Sequence, residues 1–546
     1  EFEKWARGDA GIMDKIVDAF NEKMNTHVEP KFNGRELLVT AGANPSVELR
    51  DTQKDAAWRM IRTDSVLLDH VVGAGKTYAL ITGAMERRRM GASKKPLFVV
   101  PNHLVGQWTR DFYKLYPGSR VLAASEKSMK PQNRKALFAR IATGDFDAVI
   151  IGHSHLSFIE NAAVDEKAII DEQLSGLRAA LEDAEETGNS RSVKQIQERI
   201  DKYKARLAEL AEGKRDEIGY DFEKMGIDYL VVDEAHLFKN LEYSSGNPRI
   251  AGMNDPKGTA KSFDMYVKTR GLRKRGGGVA FATGTPVSNS LVEIYTMMKY
   301  LAYDELASRN LQHFDAWAGA YTITETRLEY TATQKLKPRR VLSSLVNLSS
   351  LQQIYKQFAD TITLQNLKDA YRIQMERENE SLPEGKKKRT EFPVPKIVEN
   401  PDSGRNERKL DTGEPSEEQT EYFDYLTARM NAIESNARNT KYRRIDNPLW
   451  VLNDARIASL DIRTIDSTLP RNENGKVMRA ARNIKRLYDQ WDDVRGAQLV
   501  FCDDSVPSSG SKAKAKKMFK TFAEGVFGEG DAARIMKRLE GRPFIE

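Results

Sequence analysis

The sequence is poor in residues that staple or anchor a chain. It holds one cysteine, Cys502, in 546 residues. That excludes a disulfide framework and a cysteine-based zinc site, and a reducing compartment is its natural setting. No run of about 18 apolar residues occurs, so nothing is expected to span a membrane. The first residue is Glu1, and no signal-peptide pattern follows. The expectation is a chain that starts inside a longer polypeptide, or one that has been processed or cloned. A dominant charge sign is lacking too. The balance of 86 basic against 79 acidic residues leaves only +7. So small an excess permits nucleic-acid binding without arguing for it.

What is present suits a globular protein. Hydrophobic residues make up 40 % and charged residues 30 %, too apolar for a mostly disordered chain. At about 150 residues per domain, the length suits three to four domains, or two large ones with insertions. Residues 1–45 read as a helical lead-in, with Ile12, Ile16, Val17 and Phe20 at helical spacing. From Val66 the pattern becomes short apolar runs alternating with helices: Val66–Leu68, Leu97–Val100 and Ala148–Ile151, then Tyr229–Val232 and Val279–Ala282. Continuous apolar strands separated by helices predict a parallel α/β sheet covered on both faces. Residues 164–213 interrupt it. Heptad-spaced Ile170, Leu174, Leu177 and Leu181 precede Gly188-Asn189-Ser190, and Val193, Ile196, Ile200 and Leu207 follow. That predicts an inserted antiparallel helical hairpin, either a strut packed on itself or a partner-docking arm. Residues 300–375 read as mainly helical, 376–415 as a linker, and Gln498–Cys502 as a last strand.

Four segments carry chemistry. Val71-Val72-Gly73-Ala74-Gly75-Lys76-Thr77 follows a strand and opens a helix. Glycines at 73 and 75 would let backbone N–H groups close on phosphates at a helix N-terminus. Lys76 would reach the β- and γ-phosphates of ATP, and the Thr77 hydroxyl would hold Mg²⁺. Leu230-Val231-Val232 leads into Asp233-Glu234-Ala235-His236. There Asp233 would join the Mg²⁺ shell, and Glu234 would polarise an attacking water. Thr283-Gly284-Thr285-Pro286 follows the strand Val279–Ala282 and could couple the nucleotide site to a neighbouring surface. Gln53, about twenty residues before the phosphate loop, carries an amide that could read an adenine edge.

The order of these segments resembles superfamily 2 helicases and translocases, and the Swi/Snf-like branch in particular. Lys239-Asn240 after the Asp-Glu-Ala-His box and Asn289 after Thr-Gly-Thr-Pro fit that branch. Pro101–Trp108 is similar to its motif Ia and Asp147–Leu156 to its motif Ib, which implies DNA contacts near Asn102 and Ser154. His70 stands where the full phosphate-loop pattern has glycine. A narrower resemblance accommodates it. His70–Thr77, Val99–Trp108, Asp454–Asp461 and Gln498–Pro507 are similar to the helicase part of large phage- and plasmid-encoded helicase–methyltransferase proteins, some of them antirestriction proteins.

The resemblance implies a RecA-like lobe over 46–300 carrying the hairpin 164–213. A helical region and flexible linker would follow over 301–445, and a truncated second RecA-like lobe over 446–546. His236, Thr283 and Thr285 would couple the motifs. The basic cluster Arg270, Arg273, Lys274 and Arg275 is a candidate for DNA phosphates. Lys386–Arg389 and Lys512–Lys520 are further basic runs. No motif V or VI is recognised after Gln498–Cys502, so this chain alone is expected to bind ATP and hydrolyse it weakly. No methyltransferase tetrapeptide is found; Asp446-Asn447-Pro448-Leu449 comes nearest and lacks the second proline and the aromatic. The expected function is an ATP-driven motor on double-stranded DNA, cytoplasmic in the host cell or phage-borne. Its partners would be its own flanking regions, including the rest of the second lobe and a methyltransferase. The alternative is a nucleotide-binding structural or DNA-binding module without efficient hydrolysis.

Overall fold

The computed structural model describes residues 30–37, 39–186, 190–212, 220–245, 250–251, 256–288, 290–330, 336–393, 410–436, 446–493 and 497–501, with 11, 15 and 404 besides. The apolar positions of the lead-in, Asn289, Cys502 and the Lys512–Lys520 run lie outside them. The chain divides into two compact units, Glu1–Arg327 with Arg339–Val394, and Leu328–Pro338 with Pro395–Glu546.

The first unit is built on seven strands: β1 (Ser65–His70), β2 (Pro96–Val100), β3 (Val121–Ala123), β4 (Ala148–Gly152), β5 (Tyr229–Val232), β7 (Gly278–Thr283) and β10 (Ala359–Ile362). They lie in the order β10-β1-β7-β5-β2-β4-β3, and every pairing is parallel. Alternate side chains of each strand enter different cores. Leu67, Val99, Ile151, Val232 and Phe281 face one cluster. Val66, Leu68, Val100, Ile150 and Ala282 face the other. Helices α1 (Asp51–Arg62), α2 (Lys76–Arg89) and α3 (Val105–Leu115) cover the second cluster with Met60, Leu80 and Phe112. Helix α4 (Pro131–Thr143) covers the first with Phe138. Removing one ring from this sheet, as in Phe281→Ala, should cost about 3–5 kcal/mol. This is a RecA-like arrangement, as the apolar runs and the resemblance predict.

The hairpin consists of α5 (Ala163–Glu186) and α6 (Ser190–Ala211). Ile170, Leu174, Leu177, Ile196, Ile200 and Tyr203 bury one another along its seam. Its base rests on α7 (Ala260–Lys274), where Tyr203 meets Phe263 at 6.1 Å between ring centroids.

Residues 300–375 are less helical than their pattern suggests. After α8 (Val292–Leu301), the strands β8 (Thr322–Tyr330) and β9 (Leu336–Leu345) form a small sheet with β6 (Ile250–Ala251), in the order β6-β9-β8. Helix α9 (Leu348–Phe358) then leads into β10, which adds the seventh strand to the main sheet beside β1. The sheet therefore draws on residues beyond 300. Helix α10 (Leu364–Glu380) occupies the start of the expected linker.

The described residues of the second unit between 410 and 501 form helices and turns and no strand. Helices α11 (Glu417–Ser435) and α12 (Pro448–Leu460) share a core of Leu426, Met430, Ile433 and Val451. Arg429 bridges Asp446 at 2.8 Å and Asp454 at 2.7 Å. Asn447 caps α12 through its side chain, so the string Asp446-Asn447-Pro448-Leu449 is a helix start. Helix α13 (Lys476–Trp491) follows. Gln498–Phe501 is not a strand, and Leu499, Val500 and Phe501 are exposed. A strand needs a neighbour to complete its ladder, and none of the described residues pairs with this one.

Candidate nucleotide site

The parallel sheet gathers the motifs at one edge. The phosphate loop leaves the C-terminal end of β1, Thr283-Gly284-Thr285 leaves β7, and Asp233-Glu234 leaves β5. These three strands are neighbours, so segments more than 200 positions apart in sequence emerge side by side. Asn102 and Ser154 follow the next two strands, β2 and β4. Ligand sites of open α/β sheets lie at this carboxyl edge.

The loop has the backbone its glycines allow. Gly73 and Gly75 adopt φ of 86° and 84°, a left-handed conformation that costs other L-residues roughly 1–2 kcal/mol. Val72 is exposed at the loop's tip. Helix α2 begins at Lys76, so its first N–H groups have no intrahelical acceptor and face the loop's concavity. Thr77, half-buried, is the second residue of this helix. Lys76 Nζ donates to the carbonyl of His70 at 2.9 Å. Gln53 faces the loop from α1. Its Nε2 donates to Gly75 O at 3.0 Å, and its Oε1 accepts the Arg50 N–H at 2.8 Å. The amide therefore spans helix start and loop. A Cβ on Gly75 would sit 2.3 Å from that Nε2.

Asp233 is buried, and its carboxyl is pushed up to about 6 by that burial and then by the charge of Glu234. The Glu234 N–H, Lys76 and the Trp108 indole pull the other way. The interaction with Lys76 places loop and carboxylate in one electrostatic site. Glu234 has φ of 49°, a rare conformation for a residue with a side chain and one found often at working sites. His236 Nδ1 lies 3.1 Å from Glu234 Oε2 and 2.9 Å from Thr283 Oγ1. Thr283 Oγ1 also accepts the Thr285 N–H at 3.1 Å. Glu234, His236, Thr283 and Thr285 thus form one chain of polar contacts between the ends of β5 and β7. Lys239 extends it to Ser288 and, at 2.8 Å, to the buried Glu293.

The groups suit ATP with Mg²⁺. Mg²⁺ takes few protein ligands and keeps phosphate oxygens and waters. One hydroxyl (Thr77) and one carboxylate (Asp233) would be such a set. No cluster of three or more His, Cys, Asp or Glu ligands exists among the described residues.

Asn102 and Ser154 bond each other across neighbouring strands. Asn102 Nδ2 donates to Ser154 Oγ at 2.6 Å, and the Ser154 N–H donates to Asn102 Oδ1 at 3.2 Å. Both are exposed at the motif edge. The basic cluster stands apart. It ends α7 just before β7 begins, at the opposite, N-terminal edge of the sheet. Arg270 stacks on Tyr303 at 3.2 Å from the ring centroid and pairs with Glu172 at 3.4 Å. Arg273 pairs with Asp64 at 3.5 Å and Arg275 with Asp165 at 2.5 Å. Lys274 is exposed beside them. The expected assignment of this cluster to DNA phosphates is not what the geometry favours, because three of its four cations hold acids of the same unit.

Residues that sequence reasoning passed over also shape the site. Arg50 donates to Gly73 O at 3.3 Å. His153 Nε2 donates to the Asp233 carbonyl at 2.8 Å. Burial pushes the His153 ring down to about 4, so it stays neutral near pH 7. Only adjacency hinted at them: Arg50 lies three residues from Gln53, and His153 precedes Ser154.

A family model described as "probable helicase domain" matches residues 58–363. The chain is 21 % identical over 421 residues to the Defense against restriction protein B of Escherichia phage P1, an alignment that takes in 68 % of this chain and 18 % of that protein. It therefore spans under a fifth of that relative's length. A Sulfolobus solfataricus SWI2/SNF2 ATPase core, solved in complex with dsDNA, aligns with 93 % of this chain and 78 % of that one, at 13 % identity and a TM-score of 0.32.

Proposed function

The chain belongs to the probable helicase domain family, and on that footing we propose that it is the ATP-driven motor part of a helicase or translocase that acts on double-stranded DNA. One observation carries the reading. Lys76, Thr283 and Asp233-Glu234 leave the carboxyl ends of three adjacent parallel strands, with the exposed Asn102–Ser154 pair on the next two. Nucleotide chemistry and a polar contact surface then share one edge.

In this reading Lys76 leaves the His70 carbonyl for the phosphates, and Gln53 reads the adenine edge. Thr77 and Asp233 would hold Mg²⁺, which supplies charge neutralisation at the phosphates. Glu234, steadied by His236, takes a proton from the attacking water. The contact from His236 to Thr283 carries the state of that carboxylate to the Thr285 turn. Asn102 and Ser154 meet the DNA backbone, a contact that positions without reading sequence and weakens with salt.

Phosphate release from Mg–ATP, measured with and without duplex DNA, tests this. Stimulation by DNA that disappears in Lys76→Ala is the expected result. Turnover that ignores both DNA and the Lys76 substitution would sink it. Lys76-dependent nucleotide binding without turnover supports the second reading, a nucleotide-binding module.

A further inference from the structure

The segment Leu348–Glu380 contains none of the site's motifs, yet it holds that site from two sides. Strand β10 pairs with Leu67–His70 of β1. The ladder continues into the phosphate loop, where the Val71 N–H donates to Ile362 O at 2.9 Å. At this junction the His70 ring Nε2 lies 2.7 Å from Asp360 Oδ2. Arg59 of α1 approaches the same carboxylate at 3.5 Å and donates to Lys356 O at 2.7 Å. Burial works against the charge on Asp360, but the hydrogen bond and charge of His70, with Arg59, hold its carboxyl below the ordinary carboxylate range.

His70 matters because of its other end. Its carbonyl is the acceptor on which Lys76 Nζ rests. Ring and carbonyl belong to one residue in an extended strand, so fixing the ring fixes that acceptor. Where the usual loop has a glycine, this one has a side chain tied to β10. The second grip comes from α10. Gln374 Oε1 accepts the Asp51 N–H at 3.0 Å, and Arg377 donates to Asp51 Oδ2 at 2.7 Å. Asp51 opens α1 two residues before Gln53, whose amide holds Gly75 O.

We propose that β10 and α10 form a positioning brace for the nucleotide site. Asp360 sets His70 and the first half of the phosphate loop, and Gln374 with Arg377 sets α1 and Gln53. The proposal rests on the nucleotide-binding reading above. None of the three brace residues meets nucleotide; each acts through His70 or Asp51. A loop already in its bound shape loses less freedom when ligand arrives, so the brace appears in affinity for nucleotide rather than only in stability.

The test is equilibrium binding of a fluorescent ATP analogue with Mg²⁺ to the full chain, with thermal melting alongside. Asp360→Ala should bind about 10-fold more weakly, the scale of one lost charge-assisted hydrogen bond. Asp360→Asn, which can still accept from His70, should recover to within about 3-fold. His70→Ala should match Asp360→Ala, and the double substitution should lose no more than either, because the two act as a pair. Arg377→Ala, on a half-exposed side chain, gives a second readout that does not depend on the buried pair. Unchanged affinity in Asp360→Ala and Arg377→Ala, with Lys76→Ala still abolishing binding, overturns the brace and leaves the site standing. Unchanged affinity in Lys76→Ala overturns the site reading itself. Additive losses at His70 and Asp360 also overturn the brace.

Discussion

The two edges of the main sheet both carry charged residues, and they use them in opposite ways. At the carboxyl edge Asp233 is buried, but the groups around it are left reachable. Glu234 is partly exposed at a left-handed backbone, Val72 stands out at the loop tip, and Lys76 rests on a carbonyl it can leave. At the amino edge, charges are closed on one another. Arg270, Arg273 and Arg275 meet Glu172, Asp64 and Asp165, and the first two line a cavity of about 500 Å³ with Tyr303 and Ile169. What sets the carboxyl edge apart is its left-handed backbone and a lysine held only by a carbonyl.

The largest expected effect lies at the carboxyl edge. Glu234→Gln should keep nucleotide binding and take the chain's weak DNA-stimulated phosphate release down to background, because a positioned general base contributes about 10²–10⁴-fold. Turnover within a few-fold of the unsubstituted chain would remove Glu234 from the chemistry. Gly75→Ala comes next. A methyl group there needs a left-handed backbone and collides with Gln53. The combined cost is about 2 kcal/mol, or roughly 30-fold in ATP affinity if it falls on the bound loop. Titration with Mg–ATP reads it, and unchanged affinity would mean that the loop geometry does not matter to binding.

The carboxyl edge was more legible in the sequence than the amino edge, for a physical reason. Phosphate binding needs glycines, a lysine and a hydroxyl within a few residues, so Gly73–Thr77 announces itself. The partners of Arg270 and Arg275 lie about a hundred positions upstream, on the hairpin. A charge run shows its sign and not its partners. Strand β10 was hidden differently. It is four residues, half of them polar, between two helices, and it takes its place only because β1 offers a free edge. The strand expected at Gln498–Cys502 fails for the converse reason, since its apolar side chains meet no neighbouring ladder among the described residues. His70 could be seen as a departure from the glycine pattern, but Asp360, 290 positions away, could not.

Arg270→Ala sharpens the contrast at the amino edge. Removing it leaves Glu172 with Lys299 at 3.6 Å and uncovers the Tyr303 ring. The pair is partly exposed, so the loss should be about 2 kcal/mol, below the range for a fully buried pair. Urea unfolding should register it. Affinity for duplex DNA and its salt dependence should stay as they were, because no phosphate contact is lost. A shallower salt slope would return this cluster to the DNA surface.

The smallest effect makes the cleanest comparison. Gly276 has φ of 79°, nearly the value at Gly75, but nothing lies within 4 Å of where its Cβ would be. It closes the turn between α7 and β7, with its N–H donating to Arg273 O at 3.0 Å. Gly276→Ala therefore meets the same backbone penalty as Gly75→Ala and no collision. It should cost about 1 kcal/mol of stability and leave Mg–ATP affinity untouched. Two glycines of one conformation, at opposite ends of one sheet, then separate strain that the fold absorbs from strain that ligand binding feels. If Gly276→Ala weakened nucleotide binding as much as Gly75→Ala does, the edges would be mechanically coupled through β7, and the sheet could not be read as one working edge and one closed edge.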